Sequence, residues 1–251
     1  MTLYSIAYPL VFIYGLVIGS FLNVCIYRIP KHESLSKSRS HCMCCGYQLR
    51  WYDLVPVFSW VFLRGRCRQC KEKISFQYPL IELFNGILWV ITFVLHGFTI
   101  ISVIYCLMIS GLIVLSVIDW RTFEIPFGIN VYLFVLGVIR EALEGLSVIV
   151  ILDFLIVSGF LLLIYVITKG QGIGGGDIKL MAVAGLLLGW KLVLVAFLFG
   201  CFYGSVIHII RMKVSKADHV LAMGPYLSAG MLTAAWFGNH IIAWYTVSWM
   251  Q

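Results

Sequence analysis

Apolar segments long enough to cross a lipid bilayer recur along the whole chain. A membrane-spanning helix needs roughly 20 mostly apolar residues, and several segments exceed that length. Only 12% of the residues are charged, which is about half the share found in a soluble domain. A transmembrane barrel would instead show alternating segments of about 10 residues. The sequence therefore predicts an all-α, polytopic integral membrane protein.

The hydropathy pattern predicts about eight transmembrane helices, of which the sixth is short and follows a run of glycines. The approximate ranges are 3–27, 78–96, 99–119, 125–140, 146–168, 177–189, 191–211 and 220–247. A long polar segment separates the first two spans. We therefore expect three parts, which are a first transmembrane helix at 1–27, a cytoplasmic loop domain at 28–77 and a transmembrane core at 78–251.

The positive charges predict the orientation of these spans. With the amino terminus outside, sixteen Lys and Arg residues fall on the inner side, and only Arg140 and Lys191 fall on the outer side. Basic residues favour the cytoplasmic side of a membrane, so this count supports the orientation. No basic residue precedes Arg28. The first apolar run thus lacks the positive region of a cleaved signal peptide and is expected to stay in the membrane.

The predicted loop 28–77 is strongly basic. It holds ten basic and three acidic residues, a net charge of +7. Anionic headgroups of membrane lipids are the expected partner of such a surface. Nucleic acid is not expected as a partner, because no recognisable nucleic-acid-binding module is present.

Four cysteines of this loop have the spacing of a metal site. Cys42 and Cys45 form one C-x2-C pair, and Cys67 and Cys70 form a second pair 21 residues later. Two such pairs make the closed tetrahedral thiolate site that is usual for structural zinc. The predicted cytoplasmic location disfavours disulfides, although a disulfide, free thiols or a redox role remain alternatives. Cys44 is the spare thiol and could compete with Cys45 as a ligand.

Two aspartates lie at the edges of long apolar segments. Asp119 closes the run 100–118, and Asp177 follows the glycine-rich stretch 172–176. This stretch is neither a P-loop nor a dinucleotide fingerprint, because the Lys-Ser/Thr pair and the surrounding strand and helix are missing. Each aspartate alone has a plain interpretation, since Asp177 could cap a helix after a hinge and Asp119 could be a hydrated helix end.

Together, the two carboxylates at one membrane depth favour aspartic proteolysis. One would act as general base on a water molecule, and the other would polarise the scissile carbonyl as an acid. Asp177 begins its predicted helix, where the dipole favours a negative charge, and Asp119 ends its own, where the dipole disfavours one. We therefore predict that Asp177 is the base and that Asp119 holds the proton.

Motifs along nearly the whole chain resemble those of the bacterial type IV prepilin peptidases, which are GxGD intramembrane aspartic proteases with a linked N-methyltransferase. The motifs are GLVIGSFLNV at 15–24, YRIP at 27–30, RWYDLVP at 50–56, YPLIEL at 78–83, DWRTFEIP at 119–126 and GGGDIKL at 174–180. The resemblance implies Asp119 and Asp177 as the catalytic pair, a zinc-bearing loop, and a peptidase core within 78–251. Met43 and Cys44 fill the first knuckle where the family often has proline and a polar residue.

The resemblance also implies a substrate and a methyl donor. The expected substrates are type IV prepilins and pseudopilins, which are cleaved after a glycine at the cytoplasmic face of the bacterial inner membrane. The new amino terminus would then be methylated from S-adenosylmethionine. Two other classes stay open at this point, namely an ion- or proton-coupled transporter with a structural zinc loop, and a zinc-stabilised scaffold without chemistry. A transporter would be expected to carry more charges deep in its spans.

Overall fold

The computed structural model describes residues 2–36, 39–145, 148–215 and 221–249, and they form a helical protein. The helices are α1 (Thr2–Arg28), α2 (Phe58–Phe62), α3 (Gln77–His96), α4 (Ile100–Thr122), α5 (Phe127–Glu144), α6 (Ile149–Ile167), α7 (Gly175–Leu188), α8 (Trp190–Ser215) and α9 (Gly224–Trp249). Within the described ranges the only extended pairing is two isolated bridges in the first loop. The prediction of an all-α fold is confirmed. Lys37 and Lys216, two of the predicted inner charges, lie outside the described residues.

Five of the described helices are long and apolar enough to cross a membrane. They span Tyr4–Lys31, Gln77–His96, Ile100–Thr122, Ile149–Ile167 and Trp190–Lys213. The predicted count of eight spans is not confirmed. Helix α7 has only 14 residues, α5 carries three charged residues near its end, and α9 includes Ser, Thr, Asn and His side chains that lower its hydropathy.

The chain divides into two compact units, Met1–Ser102 and Val103–Gln251. In the first unit α1 packs along α3 at glycines. A Cβ atom on Gly15 would lie 2.7 Å from the Cα of Gly86, and one on Gly19 would lie 2.7 Å from the Cα of Glu82. The Asn85 side chain adds a hydrogen bond of 2.7 Å to the carbonyl of Gly15. Small residues thus allow the close backbone approach on which helix packing in membranes depends.

In the second unit the short helix α7 lies among four others. It contacts α5, α6, α8 and α9, and every residue from Leu180 to Leu188 is buried. This sequence is apolar on all sides, which is typical of a helix enclosed by protein. At Gly185 a Cβ would come within 1.7 Å of the carbonyl oxygen of Asp153 on α6. Helix α7 therefore places its amino-terminal turn at one end of a tightly packed bundle.

Candidate functional site

Asp119 lies in the last turn of α4 and is 4% exposed. Its Oδ2 atom accepts a hydrogen bond of 2.8 Å from the backbone N–H of Gly224, the first residue of α9. The contact is so close that a Cβ on Gly224 would lie 2.7 Å from the same oxygen. The glycine at this position thus holds the carboxylate by its backbone and leaves no room for a side chain.

Asp177 lies in the first turn of α7, three residues after the N-cap residue Gly174. Its side chain is half-buried. The first turn of a helix is where the helix dipole favours a negative charge. The capping role of Asp177 that the sequence left open stays a prediction.

The structure brings together the end of α4, which carries Asp119, and the start of α7, which carries Asp177. The segment that follows Asp119 lies against the first turn of α7, since a Cβ on Gly176 would be 3.1 Å from the Cβ of Ile125. Like charges at short range disfavour each other, so a pair holding one proton and one negative charge is the favoured state.

Two cation–π contacts join residues 120–127, which follow Asp119, to α7 and α8. The ammonium of Lys179 on α7 lies 5.7 Å from the ring centroid of Phe127, and the guanidinium of Arg211 on α8 lies 4.9 Å from that of Trp120. Such contacts are attractive within about 6 Å of the ring. Residues from α4, α5, α7, α8 and α9 therefore meet at one end of the second unit.

The glycines before Asp177 leave space beside it. Both Gly174 and Gly175 are exposed, and a Cβ on Gly175 would meet no atom within 4 Å. An extended peptide can approach a backbone that carries no side chains. The arrangement thus combines two carboxylates with an open edge, which is what general acid–base attack on a peptide bond requires.

The four predicted metal ligands also come together, in the first unit. The sulfurs of Cys42, Cys45, Cys67 and Cys70 lie within 4.8 Å of one another. The distance is 3.7 Å between Cys42 and Cys70 and 4.0 Å between Cys45 and Cys67. Cys44 is exposed and stands outside the cluster. Of the five loop thiols, the structure therefore gathers the four that the spacing indicated.

The two halves of this thiol cluster have the same local structure. In the first, the Cys42 N–H bonds to the carbonyl of Tyr47, and in the second the Cys67 N–H bonds to that of Glu72. The residue after each second cysteine has a positive φ, 70° at Gly46 and 61° at Lys71. Each half is a tight knuckle that points two thiols in one direction.

Sequence reasoning missed Gly224. The signal was present, because Gly224 is followed by Pro225, and proline is favoured in the first turn of a helix. The sequence cannot show that this helix begins against Asp119, since 105 residues separate the two.

A model described as "Bacterial Peptidase A24 N-terminal domain" matches residues 13–96, and one described as "Type IV leader peptidase family" matches residues 106–209. A protein of Bacillus subtilis (strain 168) named "Prepilin leader peptidase/N-methyltransferase" is 34% identical over 242 residues, which cover 94% of this chain and 96% of that protein. The chain belongs to the prepilin leader peptidase/N-methyltransferase family.

Other members of this family give the same result. A protein of that name from Neisseria gonorrhoeae is 31% identical, with 97% of this chain and 94% of the relative covered. One from Stutzerimonas stutzeri is 30% identical, with 92% and 91% covered. No solved structure matches the chain. The predicted resemblance is confirmed over nearly the full length.

Proposed function

We propose that this family member is a membrane-embedded aspartic endopeptidase. It removes the short leader of type IV prepilins and pseudopilins after a glycine at the cytoplasmic membrane face, and it then methylates the new amino terminus. One observation carries the proposal. The segment that follows Asp119 packs against the first turn of α7, which carries Asp177, and both aspartates fall within residues 106–209, the part that matches the leader peptidase family.

Asp119 and Asp177 are the proposed catalytic pair. The ionised member takes a proton from a water molecule, whose oxygen attacks the carbonyl carbon of the scissile bond. The protonated member donates a hydrogen bond to the carbonyl oxygen as negative charge develops there. When the tetrahedral species collapses, the C–N bond breaks and the leaving nitrogen takes a proton. The pair returns to one proton and one charge.

The hydrogen bonds at the site bear on which aspartate is the base. Asp177 lies at the amino-terminal end of its own helix. Asp119 ends its helix, but the amino-terminal end of α9 donates to it through Gly224. Both positions thus favour negative charge, and the site is more symmetric than the helix polarities alone imply. The assignment of Asp177 as base stays a prediction, and the proposal needs only the shared proton.

The test is cleavage of a prepilin-like peptide by the full chain in nanodiscs, followed by mass spectrometry. Asp119→Asn and Asp177→Asn are each expected to abolish cleavage, because neither variant retains an acid and a base. Glu124→Gln is the matched control, since Glu124 is an exposed acid close to Asp119 in sequence. Cleavage retained in either aspartate variant would defeat the dyad.

The names of the relatives include N-methyltransferase, and the family name implies S-adenosylmethionine as the methyl donor. This cofactor supplies an electrophilic methyl group, which the amine released by cleavage can accept. The same peptide assay, repeated with S-adenosylmethionine, tests this half of the proposal. A mass increase of one methyl group on the cleaved peptide is expected, and cleavage without it would separate the two activities.

We also propose that the thiol cluster holds a structural zinc ion. Four sulfurs at about 2.3 Å from a tetrahedral zinc would stand roughly 3.8 Å apart, close to the two separations of 3.7 and 4.0 Å. Four thiolates leave no position for a reacting water. The loop is poor in aliphatic side chains, so metal binding would supply folding free energy that its own core lacks.

The proposed location is the bacterial inner membrane, with the amino terminus outside and the aspartate pair facing the cytoplasm. The charge distribution supports this orientation, and the basic loop 28–77 would then face anionic lipid headgroups. The division into 1–27, 28–77 and 78–251 also stays a prediction. Labelling of cysteines introduced at Glu33 and Lys191 with a membrane-impermeant reagent tests the topology, with only Lys191→Cys reactive from outside.

The transporter alternative finds little support among the described residues. Asp153 is the acid expected deepest in a span, and its Oδ1 atom accepts a hydrogen bond of 2.6 Å from the backbone N–H of Trp190. It therefore caps the start of α8. A group engaged in this way serves helix packing rather than an ion path.

A further inference from the structure

The first unit contains a cavity of about 490 Å³. It lies between the C-terminal part of α1, the first turns of α3 and the loop that joins them, with both knuckles of the thiol cluster on its wall. Pockets for small molecules and cofactors measure roughly 300–1,000 Å³. The cavity therefore has the size of a cofactor site, and it is far larger than a metal ion needs.

Asn23 presents an unpaired acceptor at this cavity. The residue is 3% exposed, and its amide nitrogen donates to the carbonyls of Gly19 and Tyr78 at 3.3 and 3.2 Å. These two bonds fix the orientation of the carboxamide, because only the nitrogen can donate. The Oδ1 atom then has no donor among the described residues. Buried polar atoms are rarely left unpaired, so a donor from a ligand or a water molecule at this point is expected.

Glu82 adds a buried carboxylate to the same wall. It is 6% exposed, and it accepts a hydrogen bond of 2.7 Å from the Val57 N–H. None of the ion pairs found in the described ranges involves Glu82. A buried negative charge is costly without a positive partner. The position therefore suits a cationic ligand.

Two arginines on the cavity wall are engaged elsewhere, and Lys73 also lines the cavity. The Arg28 guanidinium donates to the carbonyls of Ser34 and Leu35, each at 3.1 Å, and the Arg68 guanidinium donates to Asp53 at 2.8 Å. These contacts hold the loop against the end of α1 and stabilise the cavity wall. The Asn23 amide oxygen, which has no partner among the described residues, and the Glu82 carboxylate belong to residues of the same cavity wall.

We propose that this cavity is the S-adenosylmethionine site, in which Glu82 and Asn23 are the polar anchors. The inference rests on the methyltransferase half of the proposed function. The cofactor carries a sulfonium, an ammonium and several N–H and O–H donors, which match a carboxylate and an unpaired amide oxygen. The aromatic rings of Tyr27, Trp60 and Tyr78 on the wall offer surfaces for its adenine. The Trp60 indole is held by a hydrogen bond of 3.2 Å to the Ile74 carbonyl.

The transfer balances without another reactant. The methyl carbon forms a bond to the neutral amine of the new amino terminus, and the bond to sulfur breaks with its electron pair left on sulfur. The sulfonium becomes a thioether, and the amine becomes a methylated ammonium that can lose a proton to water.

The experiment measures binding of radiolabelled S-adenosylmethionine to the full chain in nanodiscs, with peptide cleavage measured on the same samples. Glu82→Gln and Asn23→Leu are each expected to raise the Kd by about tenfold or more, because each loses one anchor. Cleavage should stay within about twofold of the parent, since the proposed catalytic pair is unchanged. Glu33→Gln is the matched control, because Glu33 is an exposed acid on the same cavity. Unchanged Kd values in both anchor variants would overturn the proposal.

A second measurement covers the case in which the variants fail to fold. Ultraviolet crosslinking of the labelled cofactor to the unaltered chain is followed by peptide mapping. Label on peptides that include Asn23, Trp60 or Glu82 supports the site, and label confined to 103–251 overturns it while leaving the methyltransferase proposal intact. If the unaltered chain cleaves peptide but binds no S-adenosylmethionine, the methyltransferase half of the proposed function fails as well.

Discussion

The contact between Gly224 and Asp119 gives the sharpest test of the active-site geometry. In Gly224→Ala the new Cβ would lie 2.7 Å from Oδ2 and 3.1 Å from Cγ of Asp119, and 2.9 Å from a methyl carbon of Leu115. Ordinary van der Waals contact begins near 3.4 Å. The carboxylate or the start of α9 must therefore move by about 0.7 Å.

The size of this shift sets the expected effect. A misplacement of about 1 Å in a catalytic constellation can cost about 10²-fold in rate, so kcat/KM for peptide cleavage should fall by roughly 30- to 100-fold. Overpacking a tight contact costs about 1–3 kcal/mol of stability, which a folded membrane protein can tolerate. The assay is steady-state cleavage of a prepilin peptide, with thermal unfolding measured in parallel.

Gly159→Ala is the matched control for this prediction. Gly159 is also a helical glycine of the second unit, and its added Cβ would meet nothing within 4 Å. Its activity should stay within about twofold of the parent, because the added Cβ meets no neighbour and alanine favours a helix more than glycine does. The reasoning is refuted if Gly224→Ala folds normally and cleaves peptide as fast as Gly159→Ala does.

Three other predictions follow from the remaining geometry. The pH–rate profile should be bell-shaped, because the aspartate pair acquires a second proton on the acid side and loses its shared proton on the alkaline side; a profile without an acid limb would count against the pair. Cys67→Ser should lower the zinc content measured by mass spectrometry and expose the loop 28–77 to proteolysis, whereas Cys44→Ser should leave both unchanged because Cys44 is outside the cluster. Gly185→Ala should prevent assembly of α6 with α7, since its Cβ would be 1.7 Å from the Asp153 carbonyl oxygen; normal thermal unfolding of this variant would contradict the packing described for α7.

The sequence predicted the parts of the site that depend on residue type and spacing. Paired C-x2-C motifs restrict the loop so strongly that the four-thiol cluster could be expected before the fold was known. The approach of the segment after Asp119 to the first turn of α7 could be expected because charge placement put both aspartates at one membrane face. The sequence motifs also predicted the protein family, and the comparisons confirmed this prediction.

Other features depend on tertiary contacts and were not accessible in this way. The contact of Gly224 with Asp119 requires α9 to return to the end of α4, and no local pattern encodes that return. The cavity acceptors Asn23 and Glu82 lie on α1 and α3. The hydrogen bond from Asn23 to the Tyr78 carbonyl, which joins these helices, connects residues 55 positions apart in the sequence. The predicted count of eight spans is not confirmed, and hydropathy alone does not distinguish a helix that faces lipid from one enclosed by protein, as α7 is.

The enclosure of α7 has a consequence for motion at the site. Amide protons between Leu180 and Leu188 lie on a helix surrounded by protein, and they should exchange with solvent only through large openings of the bundle. The glycines just before this helix are exposed and should exchange quickly. Asp177 therefore stands where the slowest and the fastest parts of the second unit meet. The glycine segment before α7 can adjust its conformation to a bound substrate. The Asp177 carboxylate stays fixed on the enclosed helix α7.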